Sequence, residues 1–117
     1  MCIRDSYATD VVINGRTGRA VVDTGATAVS LSLGEAQRLG LPYREGRLIR
    51  TRTAGGEREA YLITLDAVQA GSILLRGVEA TVSTLPDSPP VTLLGMSFLR
   101  HLEMRTDGNR LLLMQLR

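Results

Sequence analysis

Hydrophobic positions in this chain recur mostly in short runs rather than at helical spacing, and turn-forming residues separate the runs. Val11-Val12-Ile13 is followed by Asn14-Gly15 and then by a second β-prone run at 19–22. Asn-Gly between two such runs is a strong hairpin signal, so this stretch predicts two antiparallel strands joined by a tight turn. A strand over 28–32 comes next. Ser32-Leu33-Gly34-Glu35 then has the spacing of a helix capping box, residues 36–39 favour helix, and Gly40 with Pro42 supplies the stop. The outcome is a helix of about two turns, a connector with one apolar side and no chemistry.

Beyond it, runs at 48–53 and 58–65 flank Ala54-Gly55-Gly56-Glu57, which predicts a second hairpin with a small, flexible tip. Residues 67–70 and 73–82 read as further strands, with Gly71 and Gly77 as turns or bulges. Leu85-Pro86-Asp87-Ser88-Pro89-Pro90 is a loop, because its prolines remove the donors a ladder needs. A buried strand at 91–94 runs into a helical turn at 96–102. Thr106-Asp107-Gly108-Asn109 is a turn, and the strand at 110–116 is too apolar to remain a free edge. The pattern is all-β with one or two short helices, and it shows no internal repeat.

Composition narrows the picture a little. A chain of 117 residues is most simply one domain, small enough that association would help stabilise it. Apolar residues make up 44% and aromatics only 3%, so the core must be built from Val, Leu, Ile and Ala. Fourteen arginines, no lysine and twelve acids leave a net charge of +2 with the signs interspersed, which gives no reason to expect nucleic acid. Arg44, Arg47, Arg50, Arg52 and Arg58 alternate with Glu45, Glu57 and Glu59, as on a solvated face. Cys2 stands alone and His101 is the only histidine, so neither a disulfide nor a metal cluster is expected. No run reaches the roughly 18 to 20 apolar residues of a membrane span, and residues 1–6 lack the apolar segment of a signal peptide.

One stretch carries candidate chemistry. Ala20-Val21-Val22 is an apolar run that stops at Asp23-Thr24-Gly25-Ala26-Thr27. It places a carboxylate at a strand end, next to a stiff hydroxyl-bearing side chain and a residue that allows close backbone approach. The same tripeptide is also what an ordinary Asx-type turn looks like, so alone it decides nothing.

As an ordered set, several segments resemble the retropepsin-like aspartic proteases, in particular their single-domain bacterial members. They are Val21-Val22-Asp23-Thr24-Gly25-Ala26-Thr27, Ser30-Leu31-Ser32 with Ala36 and Leu39-Gly40-Leu41, Thr53-Ala54-Gly55-Gly56, and Leu93-Leu94-Gly95-Met96-Ser97-Phe98-Leu99. The resemblance runs from about residue 10 to 116, and it implies a domain over 10–117 behind a tail of doubtful origin at 1–9. It implies a single-domain closed β-barrel or sandwich with a flap hairpin. It also implies that Asp23 is catalytic, that Thr24 braces the active-site loop, that Gly25 permits its close approach, and that Ala26 lies beside the substrate backbone. Thr53, Ala54, Gly55 and Gly56 would form the flap tip over an extended peptide, and Leu93, Leu94 and Gly95 would pack behind the Asp23 loop. Terminal strands in this family help join two subunits. Many relatives carry an amino-terminal membrane anchor; none is expected within the sequence given, which fits either a soluble member or a fragment missing its anchor, and localisation stays open.

The chemistry adds one constraint. Carboxylate-driven peptide hydrolysis needs one group to take a proton from water while a second, protonated, polarises the scissile carbonyl. The chain has one Asp-Thr-Gly, so the second carboxylate should be Asp23 of another copy, in a symmetric homodimer without cofactor. Pockets of small apolar residues would favour hydrophobic side chains near the cut. Two other readings compete. The Asp-Thr-Gly-Ala-Thr run resembles the phosphate loop of actin-like ATPases, but that architecture needs two sizeable domains and a second phosphate loop. A catalytically inactive peptide-binding or dimerisation module of the same fold is the alternative that stays open.

Overall fold

A computed structural model describes residues 2–4, 8–53, 56–85, 90–108 and 110–115. The first hairpin forms as its turn chemistry dictates. Strand β2 (Ala8–Ile13) pairs antiparallel with β3 (Arg16–Val22), and Asn14 and Gly15 sit at φ +49° and +85°, the left-handed pair that a tight hairpin requires. Strand β4 (Val29–Leu31) leads through Ser32 into helix α1 (Leu33–Arg38). The Ser32 hydroxyl accepts the Glu35 N–H, while Gly40 and Leu41 close the far end on Gln37 and Ala36.

A short 3-10 turn (Tyr43–Glu45) precedes β5 (Arg47–Thr53), which pairs with β6 (Gly56–Ala70). The pattern predicts a break in β6 after residue 65, but the strand runs unbroken for 15 residues. Its two halves serve different partners: the first pairs with β5, and the second pairs with β2 through Ile13↔Val68. Asp66, a weak strand former, is itself unpaired in the ladder, but pairing with β7 on either side of it, at Leu65↔Val78 and Ala67↔Arg76, carries the strand through. Strand β7 (Ile73–Ser83) runs back along β6 and contains Gly77 at φ +64°. Then come β8 (Thr92–Leu94), α2 (Met96–Leu99), β9 (Leu102–Asp107) and β10 (Arg110–Gln115). The helical turn is shorter than predicted, because Leu102 is drawn into β9 opposite Gln115.

The sheet order β2-β3-β8-β4-β7-β6 closes on itself through the β2–β6 pairing, giving a six-strand barrel with β5 added outside β6. Closure removes edges from the barrel, and alternating side chains fill its interior. Val11, Ile13, Val29, Leu31, Val82, Leu94 and Phe98 are among those buried there. Helix α1 contributes Ala36, which is fully buried. A second, three-stranded sheet has the order β1-β10-β9, where β1 is Cys2–Arg4. The apolar last strand is thus flanked on both sides, and its Leu111 and Leu113 join the same core.

Candidate active site

Asp23 owes its position to two strands that cross the barrel wall in parallel. Val21 and Val22 of β3 lie beside Leu93 and Leu94 of β8, and the Asp23 N–H donates to the Leu94 carbonyl at 3.0 Å, extending that ladder by one bond. The next residues leave the sheet and turn back. The Gly25 N–H donates to Asp23 Oδ1 at 2.9 Å and the Ala26 N–H to the Asp23 carbonyl at 3.2 Å. An Asx-type turn is therefore present, and it is the device that fixes the carboxyl at its strand end. Asp23 is half-buried, whereas Thr24 and Gly25 are exposed. Ala26 is half-buried and its carbonyl accepts the Met96 N–H at 2.8 Å.

Gly95 makes this close packing possible. A Cβ there would fall on the Ala28 carbonyl and within 2.8 Å of the Ala26 oxygen, so the turn after Asp23 lies directly on a bare backbone. Leu94 is fully buried behind it and Leu93 is half-buried on the outer face. Of the residues predicted for the hairpin tip, Gly56 opens β6 and is exposed. Ala54 and Gly55 lie outside the described residues, and Thr53 is described only as the last residue of β5.

Two supports escaped the sequence reading. Ser97 is 3% exposed; its hydroxyl accepts the Val29 N–H at 2.9 Å and donates to the Glu79 carbonyl at 2.7 Å. It thereby ties α2 to β4 and β7 immediately after Gly95. A serine in a short helical turn carries no local signal for this, since its partners stand 68 and 18 residues away. Glu35 is the second. Its place in a capping box suggests a side chain folded back on Ser32, but the Ser32 N–H bonds the Val91 carbonyl instead. The Glu35 carboxylate takes Arg38 Nε at 2.9 Å and Nη2 at 3.0 Å, and Thr92 of β8 donates to it at 3.5 Å. Hydrogen bonds from Arg38 hold this carboxyl below its ordinary range, against burial, which acts the other way. Arg38 also donates to the Thr17 carbonyl, so α1 is tied to the first hairpin and to β8 at once.

Among the described residues, no group of three or more His, Cys, Asp or Glu side chains is placed to hold a metal ion. His101 is exposed. No helix among them is long and apolar enough to cross a membrane. A cavity of about 490 Å³ lined by Pro42, Gly46, Leu62, Ile63 and neighbours lies by the 3-10 turn and does not include Asp23.

Comparisons with known proteins agree with this geometry. A family profile described as "gag-polyprotein putative aspartyl protease" matches residues 9–101. A Sinorhizobium protein known only as an uncharacterized protein in the cobV 5′ region is 35% identical over 109 residues, covering 90% of this chain. The chain spans about half of that relative's length, 46%. The crystal structure of a retropepsin-like aspartic protease from Rickettsia conorii superposes with a TM-score of 0.80 at 31% identity, covering 97% of this chain and 88% of that one. With its closed barrel, its Asp-Thr-Gly turn and a family match over most of its length, the chain belongs to the retropepsin-like aspartic proteases.

Proposed function

We propose that this chain is an aspartic endopeptidase whose active site is completed by a second copy, so that two Asp23 carboxyls activate one water molecule. The observation that carries the reading is the fixed carboxyl of Asp23 at the end of β3, in a loop whose Thr24 and Gly25 face solvent in the single chain. A loop held rigidly from behind and exposed in front suits a site that a symmetric partner covers. Two carboxyls so placed share one proton: the ionised one takes a proton from water as it attacks, and the protonated one hydrogen-bonds the carbonyl oxygen of the scissile bond. The attack forms a tetrahedral carbon, and return of the proton to the amine completes the cleavage. In this reading Thr24 braces the two loops against each other and Ala26 runs beside the substrate backbone. The β5–β6 hairpin, with Thr53, Ala54, Gly55 and Gly56 at its tip, closes over an extended peptide and excludes water.

The test is cleavage of a mixed peptide library between pH 3 and 8 by the wild-type chain and by Asp23→Asn, with oligomeric state measured on the same samples. Pepstatin-sensitive cleavage by a dimer, abolished in Asp23→Asn, is the expected result. A folded dimer that cleaves nothing at any pH would overturn the proposal in favour of a peptide-binding or dimerisation module.

A further inference from the structure

The loop that carries Asp23 leaves β3 after Val22 and rejoins the sheet at Val29, the first residue of β4. Hydrogen bonds at its entry, middle and exit tie it to one short stretch, residues 94–97. At the entry the Asp23 N–H donates to the Leu94 carbonyl at 3.0 Å, and in the middle the Ala26 carbonyl accepts the Met96 N–H at 2.8 Å. At the exit the Val29 N–H donates to the Ser97 hydroxyl at 2.9 Å. The first two join backbone to backbone and do not depend on which side chains stand there. The third depends on one side chain.

A side chain is needed at the exit because the backbone has already turned into α2 by residue 97. The Gly95 carbonyl is taken by the Phe98 and Leu99 N–H groups, and the Met96 carbonyl by that of Arg100. A serine suits the place, since its hydroxyl donates and accepts at once. It gives its proton to the Glu79 carbonyl of β7 at 2.7 Å, which fixes the rotor and leaves a lone pair for Val29. With Ser97 at 3% exposure, neither bond has water as a ready substitute.

The carboxyl of Asp23 is fixed by the same loop, through the Gly25 N–H on its Oδ1 and the Ala26 N–H on its backbone carbonyl. The Ala26 and Ala28 carbonyls in turn rest on the bare backbone of Gly95. Only Thr27 and Ala28 separate the middle anchor from the exit, so a release at Val29 reaches the turn with little slack to absorb it.

We infer that Ser97 is a positioning residue of the reaction: by holding the loop exit to β7, its hydroxyl sets the direction in which Asp23 presents its carboxyl. The inference rests on the proteolytic reading of Asp23. Two carboxyls that share a proton must meet within hydrogen-bond distance, and a misplacement of about 1 Å can cost about 100-fold in rate. Ser97 is buried and acts only through the loop, so peptide binding by the hairpin and the outer wall is left as it was.

The experiment measures kcat and KM between pH 3 and 8 for full-length wild type, Ser97→Ala, Ser97→Cys and Ser32→Ala, with dimer content and the amide NMR spectrum recorded on the same samples. Ser32→Ala loses a helix cap outside the loop and is the control for general destabilisation. Ser97→Ala should lose roughly ten-fold in kcat while KM moves by less than about two-fold, and Ser32→Ala should keep both. The Gly25 amide proton, which reports the bond to Asp23 Oδ1, should move upfield in Ser97→Ala and stay in place in Ser32→Ala. Gly25 does not bond Ser97, so a loss confined to Val29 would leave that resonance unmoved. Ser97→Cys is close to serine in volume but its sulfur accepts weakly, so it should fall between wild type and Ser97→Ala, and it carries the test if the alanine variant does not fold. A kcat no lower than that of Ser32→Ala, a loss that appears in KM instead, or an unmoved Gly25 resonance would overturn the inference and leave the protease reading standing. If the wild-type dimer cleaves nothing, the protease reading falls, and the resonance alone decides the hold of Ser97 on the carboxyl: a shift upholds it, and no shift overturns both.

Discussion

The wall that carries Asp23 and the hairpin built from β5 and the first half of β6 are both β-structure, yet their backbones are held in opposite ways. On the wall, Val29, Leu31, Leu94, Thr92 and Ser97 are at most 3% exposed, and side-chain hydroxyls bond backbone groups that the strands leave over. Along the hairpin, Arg47, Leu48, Arg50, Glu57, Arg58 and Glu59 are exposed, and the two strands are joined by the antiparallel β5–β6 ladder. Opening the wall would expose core and unpaired backbone groups; opening the hairpin would expose little. For the proposed protease, a carboxyl that must be placed to a fraction of an ångström would belong on the first kind of structure, and a cover that must let a peptide in on the second.

The sharpest way to break this contrast is Gly95→Ala. Its methyl group has no space between the Ala28 and Ala26 carbonyls, so overpacking should cost roughly 3 kcal/mol or more. Urea denaturation measures the loss; a midpoint near the wild type's would show that the turn after Asp23 is not clamped. Ser97→Ala comes next. It strands the Val29 N–H and the Glu79 carbonyl, and an unsatisfied buried group costs about 1 to 3 kcal/mol, so a loss near 2 is expected in the same titration. Ser32→Ala removes the acceptor for both Glu35 N–H and Val91 N–H and should cost about 1 kcal/mol as a lost cap.

Acid offers a subtler probe of the wall. Arg38 holds the Glu35 carboxyl below its ordinary value of 4.5, so the unfolded chain takes up that proton first. The stability this group contributes is complete above that ordinary value and fades as pH falls from there through the lower folded value. Glu35→Gln should flatten the pH dependence of the thermal midpoint in that acid range. A curve parallel to the wild type's would mean that the Glu35–Arg38–Thr92 link contributes nothing. The smallest effect belongs to the hairpin. Arg50→Ala removes a 3.6 Å ion pair with Glu57 whose side chains are 75% and 55% exposed, and it should shift stability by no more than about 0.5 kcal/mol. A loss as large as that of Ser97→Ala would erase the distinction between the two regions.

Local chemistry alone determined much of this protein. Asn14-Gly15 can make the tight turn of the first hairpin, the β-prone run before Asp23 must be extended, and Ser32 before a helix-favouring run must cap it, because each depends on residues within a few positions. The retropepsin-like character was legible for the same reason: its segments are short and contiguous in order. Only the tertiary structure decided which strands lie together. Nothing local makes β3 run parallel to β8, closes the barrel by pairing β2 with β6, or carries β6 unbroken past residue 65. The same holds for Ser97 reaching Val29 and Glu79 and for Glu35 turning from its own cap to Arg38 and Thr92. Each contact joins residues remote in the chain, and their proximity is set by the requirement that every buried strand find a partner and every buried apolar face a cover.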